Sequence, residues 1–185
     1  MKKVLCLLIL IISTIIVGCG GISEKDLPEK SKEYVIELGK TSGYLKIEGF
    51  DYAPRYKSAL DNAEKLINRL KPEPKEYLFN QVLELKDFEG LNPVQIPSPQ
   101  YKTIMVPMTT YGYTYIKKYP EKKTNYNGMY TVVWQEINDK WVVYDVLIGS
   151  NQKSHMDILE ELPLTIVDRV NKNVYLEEKT AKMRY

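Results

Sequence analysis

Cysteine and histidine, the residues that most often build covalent-catalytic and metal sites, are nearly missing from this chain of 185 residues. It has two cysteines, Cys6 and Cys19, and one histidine, His155. A zinc site would have to combine His155 with carboxylates, without any histidine pair at metal-ligand spacing. A serine or cysteine triad would also need His155, and no Gly-x-Ser-x-Gly motif precedes it. The composition therefore disfavours metal and triad chemistry, and it predicts no cofactor.

The first eighteen residues have the layout of a secretory signal. Lys2 and Lys3 precede an apolar run from Val4 to Val17, and small residues follow it. An apolar run of this length is too short for the roughly 20 residues that a membrane-spanning helix needs. A short apolar core after positive charge is typical of a signal that is removed from the mature protein.

The tetrapeptide Ile16-Val17-Gly18-Cys19 ends this apolar run. It resembles the lipobox of bacterial lipoproteins, which implies cleavage between Gly18 and Cys19 and a diacylglyceryl group on the Cys19 thiol. Acyl chains would then hold the protein at the extracytoplasmic face of the cell membrane. By the same resemblance, Gly20 in place of Asp after the lipidated cysteine implies the outer membrane in a two-membrane cell.

The mature chain is predicted to be electrically neutral and without a free thiol. Lys2, Lys3 and Cys6 leave with the signal, so the remaining basic residues equal the 24 acidic ones. Nucleic-acid binding needs a basic face that releases counterions, so we expect no nucleic-acid partner. The expected partners are the membrane, through lipidated Cys19, and an envelope protein or cell-wall component.

Four segments describe the domain organisation. Residues 1–18 are the signal, 19–32 the lipid anchor and tether, 33–176 a single domain, and 177–185 a charged tail. An alternative reading makes residues 26–38 a short helix that Asp26 caps and Gly39 ends.

The helices are predicted before most of the strands. The spacing of apolar residues predicts a helix from Tyr52 to Leu70, and Pro72 and Pro74 stop it. Residues 76–88 fit a helix followed by a strand. A second short helix begins near Ser154 with capping-box spacing to Asp157.

The strands follow in the second half of the chain. Four prolines make residues 91–107 an extended loop or edge strand, and residues 119–128 read as a polar loop. Alternation predicts a strand over 108–117 that places Tyr111, Tyr113 and Tyr115 on one face. The strongest signal is a hairpin, 129–137 and 140–148, around Asn138-Asp139. A final small hairpin is predicted over 164–176.

Amphipathic helices followed by an antiparallel sheet indicate an α+β fold. Residues 129–148 form a strand, a tight turn and the Lys-Trp-Val-Val-Tyr-Asp-Val strand, and they follow a Tyr-rich strand. This arrangement resembles the nuclear transport factor 2-like superfamily. The resemblance implies helices packed on a curved antiparallel sheet that forms a cone, and a cystatin-like sheet or a lipocalin-like barrel fits nearly as well. Members of that superfamily include isomerases and cyclases as well as binding proteins, so the fold leaves function open.

Two sets of residues are candidate ligand-binding sites. Asp145 shares a predicted strand face with Trp141 and Val143, where burial would raise its pKa and suit it to proton transfer. The alternatives are that the strand leaves the core near Asp145, or that Asp145 accepts hydrogen bonds from a neighbouring backbone or an arginine. The row of Tyr111, Tyr113 and Tyr115 could stack on a sugar or peptide, or could simply be a half-exposed strand. His155, at the start of a helix, is expected at the surface.

These observations lead to a lipid-anchored envelope protein with a non-catalytic binding or assembly role. The alternative is a small-molecule-binding or isomerase-like domain with a cone pocket around Asp145. A third reading is an inert spacer or immunity-type lipoprotein that occupies the surface of a partner.

Overall fold

The structure, a computed structural model, describes residues 21–163 and residue 166. The predicted signal, the lipidation site at Gly18 and Cys19 and the charged tail lie outside the described residues. The hairpin predicted over 164–176 also lies outside them except for residue 166, which is helical and not part of a strand. Within the described residues, no helix is long and apolar enough to cross a membrane.

A short 3-10 helix, Glu24–Asp26, opens the described part of the chain. Among the described residues, three α-helices then precede the sheet and a fourth follows it. They are α1 (Leu27–Lys40), α2 (Pro54–Arg69), α3 (Pro72–Phe79) and α4 (His155–Glu160). Proline stands in the first turn of each of the first three, where its missing N–H removes no helical bond. The predicted helix over 52–70 is confirmed, and its apolar stripe is buried: Tyr56, Leu60, Ala63 and Ile67.

The strands form one six-stranded antiparallel sheet in the order β1-β3-β4-β5-β6, with β2 also paired to β3. Their bounds are β1 (Gln81–Glu89), β2 (Val94–Ile96), β3 (Thr103–Ile116), β4 (Thr124–Ile137), β5 (Lys140–Ile148) and β6 (Lys153–Ser154). The α+β class is thus confirmed, as is the succession of a helix and a strand within residues 76–88.

One face of the sheet packs on the helices. On β3 the buried side chains alternate, at Ile104, Val106, Met108 and Thr110. They pair with Trp134, Val132, Tyr130 and Gly128 of β4. The Tyr111, Tyr113 and Tyr115 row therefore lies on the opposite face, as its spacing predicts.

The hairpin of β4 and β5 turns at Asn138 and Asp139 as predicted. Both residues have positive φ, 51° and 60°, which is the backbone that a two-residue hairpin turn requires. Asn and Asp tolerate that conformation better than most residues.

Two strands begin earlier than predicted. β4 starts at Thr124, so the second half of the loop predicted over 119–128 is wrong; residues 124–128 pair with 110–114 of β3. β3 starts at Thr103 and runs through Pro107. On the β1–β2 side, Pro107 falls between the segments paired with β2 and β1, a position where proline is tolerated.

The folded domain also begins earlier than residue 33. Of the two readings for residues 26–38, the helix is the one observed, and Leu27 and Ser31 are fully buried. Two details of that reading are wrong: the Asp26 side chain makes no capping hydrogen bond, and the helix continues through Gly39 to Lys40. The indole N–H of Trp134, itself fully buried, donates to Ser31 Oγ at 2.8 Å. Residues 27–32 therefore belong to the folded domain and not to the tether.

Candidate functional site

A cavity of about 310 Å³ lies between the helices and the sheet. It is bounded by the end of α1 and the loop after it, by α3 and α4, and by strands β1, β3, β4 and β5. Its lining is mainly apolar with a few polar groups: Leu38, Gly39, Ser42, Gly43, Tyr44, Leu78, Gln81, Leu83, Thr114, Tyr126, Tyr130, Ile148, His155 and Ile158.

Two tyrosine hydroxyls meet on the β4 side of this cavity. Tyr126 and Tyr130 are four residues apart on the same strand face, and their hydroxyl oxygens lie 2.8 Å apart. Gly128 stands between them and makes this contact possible, because a Cβ there would lie 2.1 Å from the Tyr126 hydroxyl oxygen.

His155 lines the cavity and is 1% exposed, so the expectation of a surface histidine is wrong. It opens α4, but α4 packs its first turn inward, where His155 reaches two distant segments. Its Nε2 lies 2.6 Å from the Gly43 carbonyl oxygen, and its Nδ1 lies 2.5 Å from the Tyr56 hydroxyl.

The directions of these hydrogen bonds follow from the carbonyl. Because the Gly43 oxygen can only accept, Nε2 must hold the proton of the neutral ring. Nδ1 then accepts from the hydroxyl of Tyr56. Because the Tyr56 hydroxyl hydrogen is used in that bond, the Tyr56 oxygen accepts a hydrogen bond from the hydroxyl of Tyr34, 3.1 Å away.

Burial keeps the three hydrogen-bonded side chains, Tyr34, Tyr56 and His155, uncharged. Desolvation lowers the pKa of His155 to about 4, and the bond to Gly43 opposes that shift only in part. Desolvation likewise raises the pKa of Tyr56 and of Tyr34 well above the usual value. At neutral pH this group is a neutral, internally bonded structural chain and not a proton donor or acceptor for a ligand.

Asp145 does not line the cavity. The sequence places it on one face with Trp141 and Val143, but the β4–β5 register shifts between Val133 and Trp134. Trp134 pairs with Val143 and Val133 with Asp145, so the intervening Tyr144 is an extra residue that moves Asp145 to the other face.

The Asp145 carboxylate is 5% exposed and holds the start of α4. It accepts from Ser154 Oγ at 2.6 Å, from the N–H of Met156 at 3.3 Å and from the N–H of Val146 at 2.8 Å. Desolvation raises its pKa, and these three bonds oppose that shift. The geometry matches the backbone-acceptor reading and gives Asp145 a structural role.

The outer face of the sheet presents the tyrosine row. Tyr113 is 37% exposed. The Tyr111 hydroxyl donates to Glu89 Oε2 at 3.2 Å. The ammonium of Lys123 lies 5.6 Å from the Tyr113 ring centre and 5.1 Å from that of Tyr115, and it bonds Glu84 at 2.7 Å.

A shallow groove of about 320 Å³ crosses this face beside Tyr111 and Tyr113. Strand pairing brings in residues that the sequence analysis missed: Asn125 lies opposite Tyr113, and Asn127 and Asp87 lie on the two sides of Tyr111. The alternation of Asn125 and Asn127 is visible in the sequence, but it lies in a segment read as loop. The groove is lined by Lys86, Asp87, Tyr111, Gly112, Tyr113, Asn125, Tyr126 and Asn127.

The predicted site residues thus fall into two separate places. The three tyrosines stand together on β3, and Tyr113 pairs with Asn125 of β4. Asp145 pairs with Val133, which lies eight residues further along β4. Eight strand residues span roughly 26 Å. Among residues 21–163 and 166, no group of three or more His, Cys, Asp or Glu side chains could hold a metal ion.

Comparison with protein-family models, with curated proteins and with solved structures finds no match to this chain.

Proposed function

We propose that this chain is an extracytoplasmic lipoprotein, anchored through Cys19, whose single domain binds an envelope component without catalysing a reaction. The observation that supports the non-catalytic role is the state of the buried titratable groups. His155, Tyr56 and Asp145 are each committed to hydrogen bonds within the domain. A group whose hydrogen-bonding atoms are already taken up by neighbouring residues is a poor general acid or base.

The direction of α1 supports a binding role away from the membrane. The segment just before α1 is held against the sheet, because Glu24 contacts the ammonium of Lys102, next to the start of β3. That ammonium also lies 5.2 Å from the Trp141 ring centre. The C-terminal end of α1 borders the cavity, and a helix of 14 residues is about 21 Å long. An anchor that precedes α1 would leave the cavity and the tyrosine face at the membrane-distal end.

We also propose that the helices are held in a curved, cone-shaped sheet of the nuclear transport factor 2-like or cystatin-like kind. Two features support it. The helices pack on one face of the sheet, and a cavity remains between the two layers. Register shifts in the β1–β3 and β4–β5 pairs are the irregularities that bend a sheet.

A second candidate function is small-molecule binding in the interior cavity. Its lining of aliphatic side chains with the paired Tyr126 and Tyr130 hydroxyls suits a small, mostly apolar ligand with one polar group. The site differs from the cone around Asp145 that the sequence suggests, because Asp145 lies outside it.

The anchor is tested by expressing the full-length chain in a bacterial host fed an alkyne fatty acid. We expect label on the wild-type protein, recovery in the membrane fraction, and loss of both with Cys19→Ser. Cys6→Ser is the matched control, since this cysteine leaves with the signal. Equal labelling of wild type and Cys19→Ser would refute the anchor.

The binding role is tested on cells that carry the anchored protein. A surface crosslinker should join the wild-type protein to a discrete envelope partner or to the cell wall, and Cys19→Ser should abolish that product. Turnover of a substrate by the purified protein would contradict the non-catalytic role directly.

A further inference from the structure

We propose that the outer tyrosine face binds saccharide chains: Tyr111 and Tyr113 stack on the apolar faces of sugar rings, and Asp87, Asn125 and Asn127 bond the hydroxyls. The inference rests on the proposed function and deepens it, because it names the chemical class of the envelope component.

The aromatic rings supply the stacking surface. Tyr111, Tyr113 and Tyr115 occupy alternate positions of β3, so neighbouring rings emerge about 7 Å apart on the same face. A tyrosine ring presents a negative π face and a hydroxyl tip, which suits a partner whose C–H groups are slightly positive and whose edge carries hydroxyls. A row of rings at a constant interval fits a linear chain of repeating units.

The polar side chains beside the rings are uncommitted. Asp87, Asn125 and Asn127 are exposed, and none makes a side-chain hydrogen bond to another described residue. Each asparagine amide offers both donors and acceptors, and the carboxylate offers acceptors only. Since strand pairing sets Asn127 and Asp87 on opposite sides of Tyr111, a sugar over that ring meets hydrogen-bonding groups along two edges.

The groove disfavours other ligand classes. Its lining contains no aliphatic side chain, so it offers little to an apolar helix or an acyl chain. Its two charged residues, Lys86 and Asp87, are of opposite sign, which gives no electrostatic attraction for a polyanion. A neutral, hydroxyl-rich chain matches both properties.

The rings are already held in place. Lys123 lies over Tyr113 and Tyr115 while bonding Glu84, and Glu84 also contacts Lys86. Side chains ordered before binding lose less rotational freedom when a ligand arrives.

The test uses the full-length lipidated protein in a detergent without a sugar headgroup. Titration calorimetry with two soluble probes, the β-1,4-linked tetramers of glucose and of N-acetylglucosamine, should show binding of at least one with Kd of about 0.1–1 mM. Tyr113→Ala should raise Kd at least tenfold and Asn125→Ala severalfold. Tyr113→Phe keeps the ring and should bind within about twofold of wild type.

Tyr101→Ala is the matched control, because Tyr101 is 54% exposed but precedes β3, away from the groove. Its Kd should equal that of wild type. The proposal is overturned if neither tetramer binds at 5 mM, or if binding survives Tyr113→Ala together with Asn125→Ala. Fatty-acid labelling of Cys19 is scored separately, so loss of the anchor and loss of saccharide binding are distinguishable outcomes.

Discussion

Nδ1 of His155 accepts a hydrogen bond from the Tyr56 hydroxyl, 2.5 Å away and 99 residues earlier in the chain. The bond joins the first turn of α4 to the buried stripe of α2, and the other ring nitrogen of His155 holds the loop after α1 through Gly43. One neutral imidazole thus connects α4, α2 and the loop after α1.

The first prediction concerns pH. The pKa of His155 is about 4 in the fold, against an ordinary value near 6.5 in the unfolded chain. Between these values the unfolded state binds more protons, so the free energy of unfolding should fall as the pH drops from 6.5 to 4, by roughly 3 kcal/mol. Urea unfolding of wild type and of His155→Gln, at each pH from 7 to 4, measures this.

The difference between the two proteins isolates His155. Burial raises the pKa of Asp145, which acts in the opposite direction, favouring the fold at low pH, but Asp145 is present in both proteins. We expect His155→Gln to be less stable at pH 7 and to lose less stability on acidification. Parallel pH profiles would show that His155 is not the titrating group.

The second prediction concerns the hydroxyl chain. Tyr56→Phe leaves Nδ1 of His155 without a donor and the Tyr34 hydroxyl without an acceptor, so we expect a loss of about 2–3 kcal/mol. Tyr34→Phe removes only the last donor and leaves the Tyr56–His155 bond in place, so it should cost about 1 kcal/mol. Urea unfolding of both variants and of the double variant gives the coupling.

The two losses should be smaller together than their sum, because the Tyr34 bond no longer exists once Tyr56 is replaced. Additive effects, or a larger loss for Tyr34→Phe than for Tyr56→Phe, would contradict the assigned bond directions.

Periodic sequence features predicted much of the fold. The α2 stripe, the tyrosine alternation on β3 and the Asn138-Asp139 turn are local signals, and each is observed. They need no knowledge of what packs against them. That independence is why the α+β class and the hairpin could be read from the chain.

The features that could not be predicted depend on which distant segments come together in the folded protein. Residues 124–128 look polar and loop-like, yet they are strand because β3 is long enough to pair with them. A single extra residue, Tyr144, moves Asp145 off the face that its spacing suggests. Ser31 lies in a segment that reads as a tether, because its hydrogen-bond donor, Trp134, comes 103 residues later in the chain.

The third prediction tests the structural role of Asp145. Asp145→Ala would leave the Ser154 hydroxyl and two backbone N–H groups without their acceptor, so we expect a loss of about 3 kcal/mol or more. Asp145→Asn keeps one acceptor oxygen and should cost about half as much. Thermal unfolding of both variants, beside Asp157→Asn as a helix-start control, measures the difference. A fully stable Asp145→Ala protein would remove the structural assignment.

The fourth prediction compares two glycines whose added methyl groups meet different obstacles. At Gly112 a Cβ would lie 2.1 Å from the Glu84 carbonyl oxygen and 2.9 Å from Leu85 Cα, so β1 itself would have to move. At Gly128 the obstacle is the ring and hydroxyl of Tyr126, a side chain that can rotate. We therefore expect Gly112→Ala to destabilise by about 3 kcal/mol and Gly128→Ala by about 1 kcal/mol.

The two variants should also differ in what they change. Gly128→Ala should separate the Tyr126 and Tyr130 hydroxyls and shift the tyrosine ring signals in nuclear magnetic resonance spectra, while the amide signals of β1 stay in place. Gly112→Ala should shift the β1 amides instead, since backbone there has to yield. If both variants unfold at the same urea concentration with the same spectral changes, the close approach of β1 to β3 at Gly112 is not a constraint on the fold.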